Sequence, residues 1–135
     1  SIVGQNLGAS KPDRILETYT KAIKTGIIIL TVVALFLFFS ADLSMRLFTD
    51  DEDVIFYGSM YLKIWAFGFP AFPLFFIPNA TFQGLKMAII VMYMAILRFV
   101  LTPIIIVTII NNFIKEDYIY MFIGLTTMHW IIGIF

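Results

Sequence analysis

Charged residues in this chain are gathered into short clusters, and long apolar runs separate the clusters. Seventeen consecutive uncharged residues lie between Lys24 and Asp42, and twenty-two lie between Lys63 and Lys86. From Met87 to Ile114 the only charge is Arg98, and the last eighteen residues carry none. A helix needs about 20 mostly apolar residues to cross the hydrocarbon core of a bilayer. The pattern therefore predicts four spans, over residues 21–41, 54–80, 87–110 and 118–135. The run GIIILTVVALFLFF has no polar face, which a helix on the surface of a soluble core requires. The predicted fold is all-α: a polytopic transmembrane helical bundle.

The polar segments read as turns and helix ends. In SIVGQNLGASKPDR, Gly4 and Gly8 free the backbone for a tight or left-handed conformation. Gln5 and Asn6 supply amides where a helix ends. Ser10 and Asp13 have the spacing of a capping box, and Pro12 suits a first turn, so a new helix is expected near Lys11. Thr49 and Glu52 have the same spacing, so the run Asp50, Asp51, Glu52, Asp53 is read as a helix cap. A cation site there is the alternative. A very short turn is expected over residues 83–86, and the last loop carries Asn111, Asn112, Lys115, Glu116 and Asp117.

Composition agrees with the pattern. The chain is 61% apolar and 13% charged, whereas a soluble domain has about 25% charged residues. A formal net charge of zero argues against nucleic acid as a partner. The absence of cysteine removes disulfides and thiolate metal sites. Lys11, Arg14, Lys21, Lys24 and Lys86 fall on one side of the membrane, and Arg46, Lys63 and Lys115 on the other. The positive-inside rule then places the N-terminal loop in the cytoplasm, and four crossings return the chain there. The chain starts with Ser inside a loop and ends within an apolar run, so it is read as a piece of a larger protein.

The second span holds Pro70, Pro73 and Pro78, each of which removes a backbone donor. This helix is expected to be kinked or locally open, and together with Pro103 these prolines are the hinge candidates. Broken helices at bilayer depth line substrate paths or act as hinges; a merely tolerated kink is the alternative. Phe72, Phe75 or Phe76, Asn79 and Gln83 recur at helical spacing on the same span. Such a face can hold an organic cation against aromatic rings, or can simply face lipid and neighbouring helices. Arg98 lies about twelve residues into the third span and is expected to face protein or a cavity, with snorkelling as the alternative. Pro103 removes the donor that Phe99 would otherwise receive. His129, Thr126 and Thr127 form the last polar cluster; a His without a nearby acid reads as packed and hydrogen-bonded rather than as a proton relay. No nucleophile–base pair, metal site or phosphate loop is visible, so no catalytic residue is assigned.

Four landmarks occur in order: VGQNLGASKPDR, LFTDDEDVIFYGSMYLKI, ATFQGLK and ILRFVLTPIII. Their series resembles the multidrug and toxic compound extrusion (MATE) transporters, in a wider group that includes lipid-linked oligosaccharide flippases. Gly4, Gln5, Gly8 and Arg14 match the family's loop motif. The resemblance implies four helices of a larger twelve-helix transporter built from two six-helix bundles, with the wording closer to spans nine to twelve. It implies a transporter rather than an enzyme, located in the cell (plasma) membrane, exporting drugs or other amphipathic organic cations by antiport with sodium or protons. A lipid-linked oligosaccharide flippase is the alternative function. Its expected partners are membrane lipid, small amphipathic or cationic substrates and the remaining helices of the transporter; no cofactor is expected beyond the coupling ion. One departure stands out. Some members carry a coupling acid midway along the span before the QG turn, whereas GFPAFPLFFIPNATFQG has no Asp or Glu and places Phe72 near that position.

Overall fold

The computed structural model describes residues 2–113 and 118–134. Helix α1 (Ile2–Gly8) leads into the long α2 (Pro12–Arg46), which turns back into α3 (Glu52–Ala66). A single 3-10 turn, Phe69–Ala71, separates α3 from α4 (Phe72–Gly84). Helix α5 (Ala88–Ile96) continues through a π-helical turn, Leu97–Leu101, into α6 (Thr102–Phe113), and α7 (Tyr118–Ile134) closes the chain. No strand occurs among the described residues. Lys115, Glu116, Asp117 and the expected final residue of the fourth span, Phe135, lie outside them.

Three helical stretches are long and apolar enough to cross a membrane: Pro12–Arg46, Glu52–Gly84 and Ala88–Ile110. The fourth, α7, has 17 residues, and its apolar part is Ile119–Ile131. At 35 residues α2 runs about 52 Å, well beyond a hydrocarbon core of about 30 Å. Its first turns, with Asp13, Arg14, Glu17, Lys21 and Lys24, are therefore free to extend past the apolar layer.

The turns are built differently from the motif reading. No described glycine has a positive φ; the left-handed residue between α1 and α2 is Ser10, at φ 53°. Lys11 N donates to Asn6 O at 3.0 Å and Ser10 N to Leu7 O at 3.1 Å. These two bonds form a Schellman closure, which satisfies the last carbonyls of α1. Gly4 and Gly8 instead lie within α1. Ser10 does not cap α2 either: Lys11 holds the cap position without a side-chain bond, and Pro12 opens the first turn. Lys86, at φ 62°, repeats the device after α4, with Met87 N on Phe82 O at 2.9 Å and Lys86 N on Gln83 O at 3.1 Å.

The capping box expected from Thr49 and Glu52 is likewise replaced. Asp51 is the cap, and its Oδ1 accepts from Asp53 N at 3.0 Å and Val54 N at 3.3 Å. Thr49 Oγ1 accepts from Asp51 N at 3.2 Å, and Glu52 receives both arms of Arg46 at 2.9 and 3.1 Å. Asp51 wins because a short carboxylate reaches the first free amides of α3 without spanning a turn. Lys63 ties α3 to Asp42 of α2 at 3.1 Å.

Helix α2 packs along α3, the 3-10 turn and α4; α7 packs on α3 and α4 on one side and on α6 on the other. Small residues set the closest approaches. Gly26 of α2 faces the Pro73 ring, and Gly124 of α7 faces Ile106 and Ile110 of α6. Large apolar side chains such as Phe36, Phe39 and Phe48 remain exposed. In a bilayer such surface meets lipid or further helices, while helical segments satisfy their backbone internally except at the proline breaks.

Candidate functional site

The helix break is dictated by proline spacing. Pro70 has no N–H for Ala66 O, Pro73 none for Phe69 O, and Pro78 none for Leu74 O. The chain tightens in response: Phe67 N bonds Ile64 O at 3.2 Å, Gly68 N bonds Trp65 O at 2.8 Å, and Ala71 N bonds Gly68 O at 3.1 Å. One carbonyl left over by the break, Phe67 O, receives the indole N–H of Trp130 from α7 at 2.9 Å. The 3-10 turn is thus tied to a neighbouring helix through one side chain.

Aromatic rings collect around this break. Phe72 stacks on Phe69 at 5.6 Å and meets His129 at 5.1 Å, Phe76 at 6.0 Å and Trp65 at 6.2 Å between centroids. Trp65 lies 5.3 Å from His129, and Tyr61 continues the cluster to Phe122 of α7 at 4.6 Å. His129 Nδ1 donates to Leu125 O at 2.7 Å, which fixes its tautomer and holds its ring among Trp65 and Phe72. Trp65 Nε1 and Thr126 Oγ1 are buried here without a hydrogen-bond partner among the described residues.

Arg98 closes the other end of the cluster. It is 1% exposed, and its guanidinium carbon sits 3.8 Å from the centroid of Phe75, with Phe99 at 5.7 Å and Phe76 at 5.8 Å. Snorkelling toward water is therefore not its arrangement. The π-helical turn places it. Thr102 N and Thr102 Oγ1, the latter at 2.7 Å, both bond Leu97 O, and Pro103 has no N–H to continue an α-helical register. An arginine at this depth costs roughly 2.5–3.5 kcal/mol. A desolvated ring contact returns about 2 kcal/mol. The in-plane donors Nε and Nη1 remain without acceptors among the described residues, and the buried acceptor Asn79 Oδ1 remains without a donor there.

Of the residues singled out from the sequence, Phe72, Phe76 and Asn79 share α4, and Arg98 of the π turn reaches that helix through Phe75 and Phe76. Asn79 is 7% exposed, one turn beyond Phe75 and Phe76 on the same helix face, while Phe76 is 53% exposed. Gln83 is not part of the cluster; its side chain is exposed in the last turn of α4. Pro70 and Pro73 frame the 3-10 turn, Pro78 lies inside α4, and Pro103 follows the π turn. Gly4 and Gln5 lie in α1, Gly8 ends it, and Arg14 borders a polar cavity of about 270 Å³ with Asn6, Glu17 and Lys21. Trp65 and Trp130 were not singled out, although Trp65 precedes Phe72 by two helical turns and extends the same spacing. Two apolar cavities flank the cluster: about 300 Å³ beside the break, against Ala34, Phe38, Pro70 and Trp130, and about 400 Å³ between α6 and α7. No group of three or more metal-ligating side chains occurs among the described residues.

The MatE family model matches residues 1–113, which contain all four landmarks in their observed order. No curated protein and no solved structure matches the chain. The match, the apolar helices and the broken, aromatic-lined second span agree on one assignment: the chain belongs to the MatE family of membrane transporters.

Proposed function

We propose that this chain forms part of a secondary active exporter that moves drugs or other amphipathic organic cations across the cell membrane. Export is by antiport with inward-moving sodium or protons, and the remaining helices of the transporter complete the path. The observation that carries this reading is the proline-broken span, where Trp65, Phe72 and Phe76 gather at a 3-10 turn. Aromatic faces attract an organic cation through the ring quadrupole and shed it without breaking strong hydrogen bonds. A broken helix offers two backbone arrangements between which such a face can turn. The N-terminal loop is cytoplasmic in this reading, with Lys11, Arg14, Lys21, Lys24 and Lys86 on that side. The coupling acid belongs outside residues 68–84, which contain none.

Arg98 favours a second reading, a lipid-linked oligosaccharide flippase, because its buried cation suits an anionic substrate. That reading ranks behind the first because a pyrophosphate needs several cations, and α4, α5 and α6 supply none besides this one nearby. The test is uptake of a fluorescent cationic dye by inverted vesicles holding the intact transporter, under an imposed sodium gradient and separately under a proton gradient. Gradient-dependent uptake supports export and names the ion. No uptake under either gradient, with the protein inserted, overturns the antiport reading.

A further inference from the structure

Among the described residues, no anion meets Arg98. Its side chain is 1% exposed, Phe75 covers one face of the guanidinium at 3.8 Å, and Nε and Nη1 have no acceptor among the described residues. The elements packed around it supply no acid. Helices α4 and α6 carry no ionisable side chain, and α5 carries only Tyr93. The ionisable side chain that α7 brings to this aromatic cluster is His129, a base. Asp42, at the end of the apolar run of α2, is already held by Lys63 at 3.1 Å. A ring face stabilises the charge but accepts none of the in-plane N–H groups. A buried guanidinium keeps its place when a planar acid meets those donors.

We propose that Arg98, backed by the Phe75 ring, is a carboxylate-binding site inside the membrane. The observations favour a carboxylate over a phosphate because a single guanidinium with no second cation on α4, α5 or α6 matches one unit of negative charge. The carboxylate comes either from an Asp or Glu of the transporter outside the described residues or from a transported acid. A resident acid leaves the cation-export reading untouched, whereas a transported acid replaces the cation as the substrate, and the laurate arm of the test separates the two.

The test is thermal unfolding of the intact transporter in dodecylmaltoside, comparing wild type with Arg98→Met between pH 3.5 and 8, with and without laurate as the probe acid. A resident carboxylate makes Arg98→Met melt lower than wild type near neutrality, because the substitution strands the acid. That deficit shrinks as pH falls from the raised pKa of the stranded acid in the variant toward the depressed pKa of the paired acid in wild type. A transported acid instead gives equal melting without laurate, and a laurate-induced rise in wild type that Arg98→Met loses. Wild type and Arg98→Met melting alike at every pH, with no differential effect of laurate, overturns the proposal. Arg98→Lys covers the case in which Arg98→Met does not insert. It keeps the charge and is expected to retain a pH- or laurate-sensitive response, smaller than that of wild type. A deficit in Arg98→Lys that neither pH nor laurate alters also overturns the proposal, because it reports packing alone.

Discussion

Replacing Gly26 tests whether the broken helix is held rigidly against α2. A Cβ at this position sits 3.0 Å from both Cβ and Cγ of Pro73, and 3.4 Å from Ile77 Cδ1. Ordinary carbon contacts lie at about 3.5–4.0 Å, so α2 and α4 must separate by roughly half an ångström. Ile77 can rotate away, but the Pro73 ring cannot, because it is fixed in the first turn after the break. Overpacking of this kind costs about 1–3 kcal/mol. Alanine recovers about 1 kcal/mol over glycine through its helix propensity. Gly26→Ala is therefore expected to be neutral to about 2 kcal/mol destabilising, and Gly26→Val worse, since its added methyls enter the same gap. Gly124 supplies the control. Its added methyl meets Ile110 Cδ1, the far end of a side chain, at 3.0 Å and the branch methyl Ile106 Cγ2 at 3.1 Å, beside a cavity of about 400 Å³. Ile110 can turn away while Ile106 is held at its branched Cβ, so Gly124→Ala is expected to keep part of its gain of about 1 kcal/mol and to lose less than Gly26→Ala. The assay is loss of helical circular dichroism on heating or titration with dodecyl sulfate. Gly26→Ala gaining as much stability as Gly124→Ala would refute a rigid α2–α4 contact.

Two further substitutions follow from the backbone. Ser10→Gly relieves a left-handed residue that already closes a Schellman motif, and should raise stability by about 0.5–1 kcal/mol in the same melting assay. A loss of stability would mean that the α1–α2 turn is not the one described. Trp130→Phe removes the indole donor from Phe67 O, and should cost about 0.5–1.5 kcal/mol while leaving most of the apolar contact. An unchanged melting temperature would show that the carbonyl at the break needs no tie to α7.

Much of the architecture is legible because charge placement is a one-dimensional signal. Clusters such as Asp50–Asp53 cannot lie at bilayer depth, and runs such as residues 25–41 cannot face water. The broken second span was also legible, since a missing donor is a covalent property of Pro70, Pro73 and Pro78. Turn chemistry was less so. Glycine is the usual left-handed residue, yet Gly8 stays helical and Ser10 takes the strained position. The helix-end hydrogen bonds decide which residue must turn, and they depend on where α1 stops. The cluster was half visible: Phe72, Phe76 and Asn79 share a face by spacing, whereas the meeting of Arg98 with Phe75 and Phe76 depends on the π turn. Nothing in the spacing of α5 and α6 announces that turn except Pro103. The partnership of His129 with Trp65 and Phe72 depends on α7 packing against α3 and α4, which no local pattern specifies.

The central claim is that the aromatic face at the helix break lines the substrate path. The described chain has no cysteine, so single probes can be placed without removing native thiols from it. In a cysteine-free form of the intact transporter, Phe76→Cys and Asn79→Cys would be labelled with a small maleimide, with and without ethidium, beside Phe39→Cys on the exposed face of α2. The account predicts that ethidium slows labelling at positions 76 and 79 and leaves position 39 unchanged. Equal labelling at all three positions with and without ethidium would contradict it.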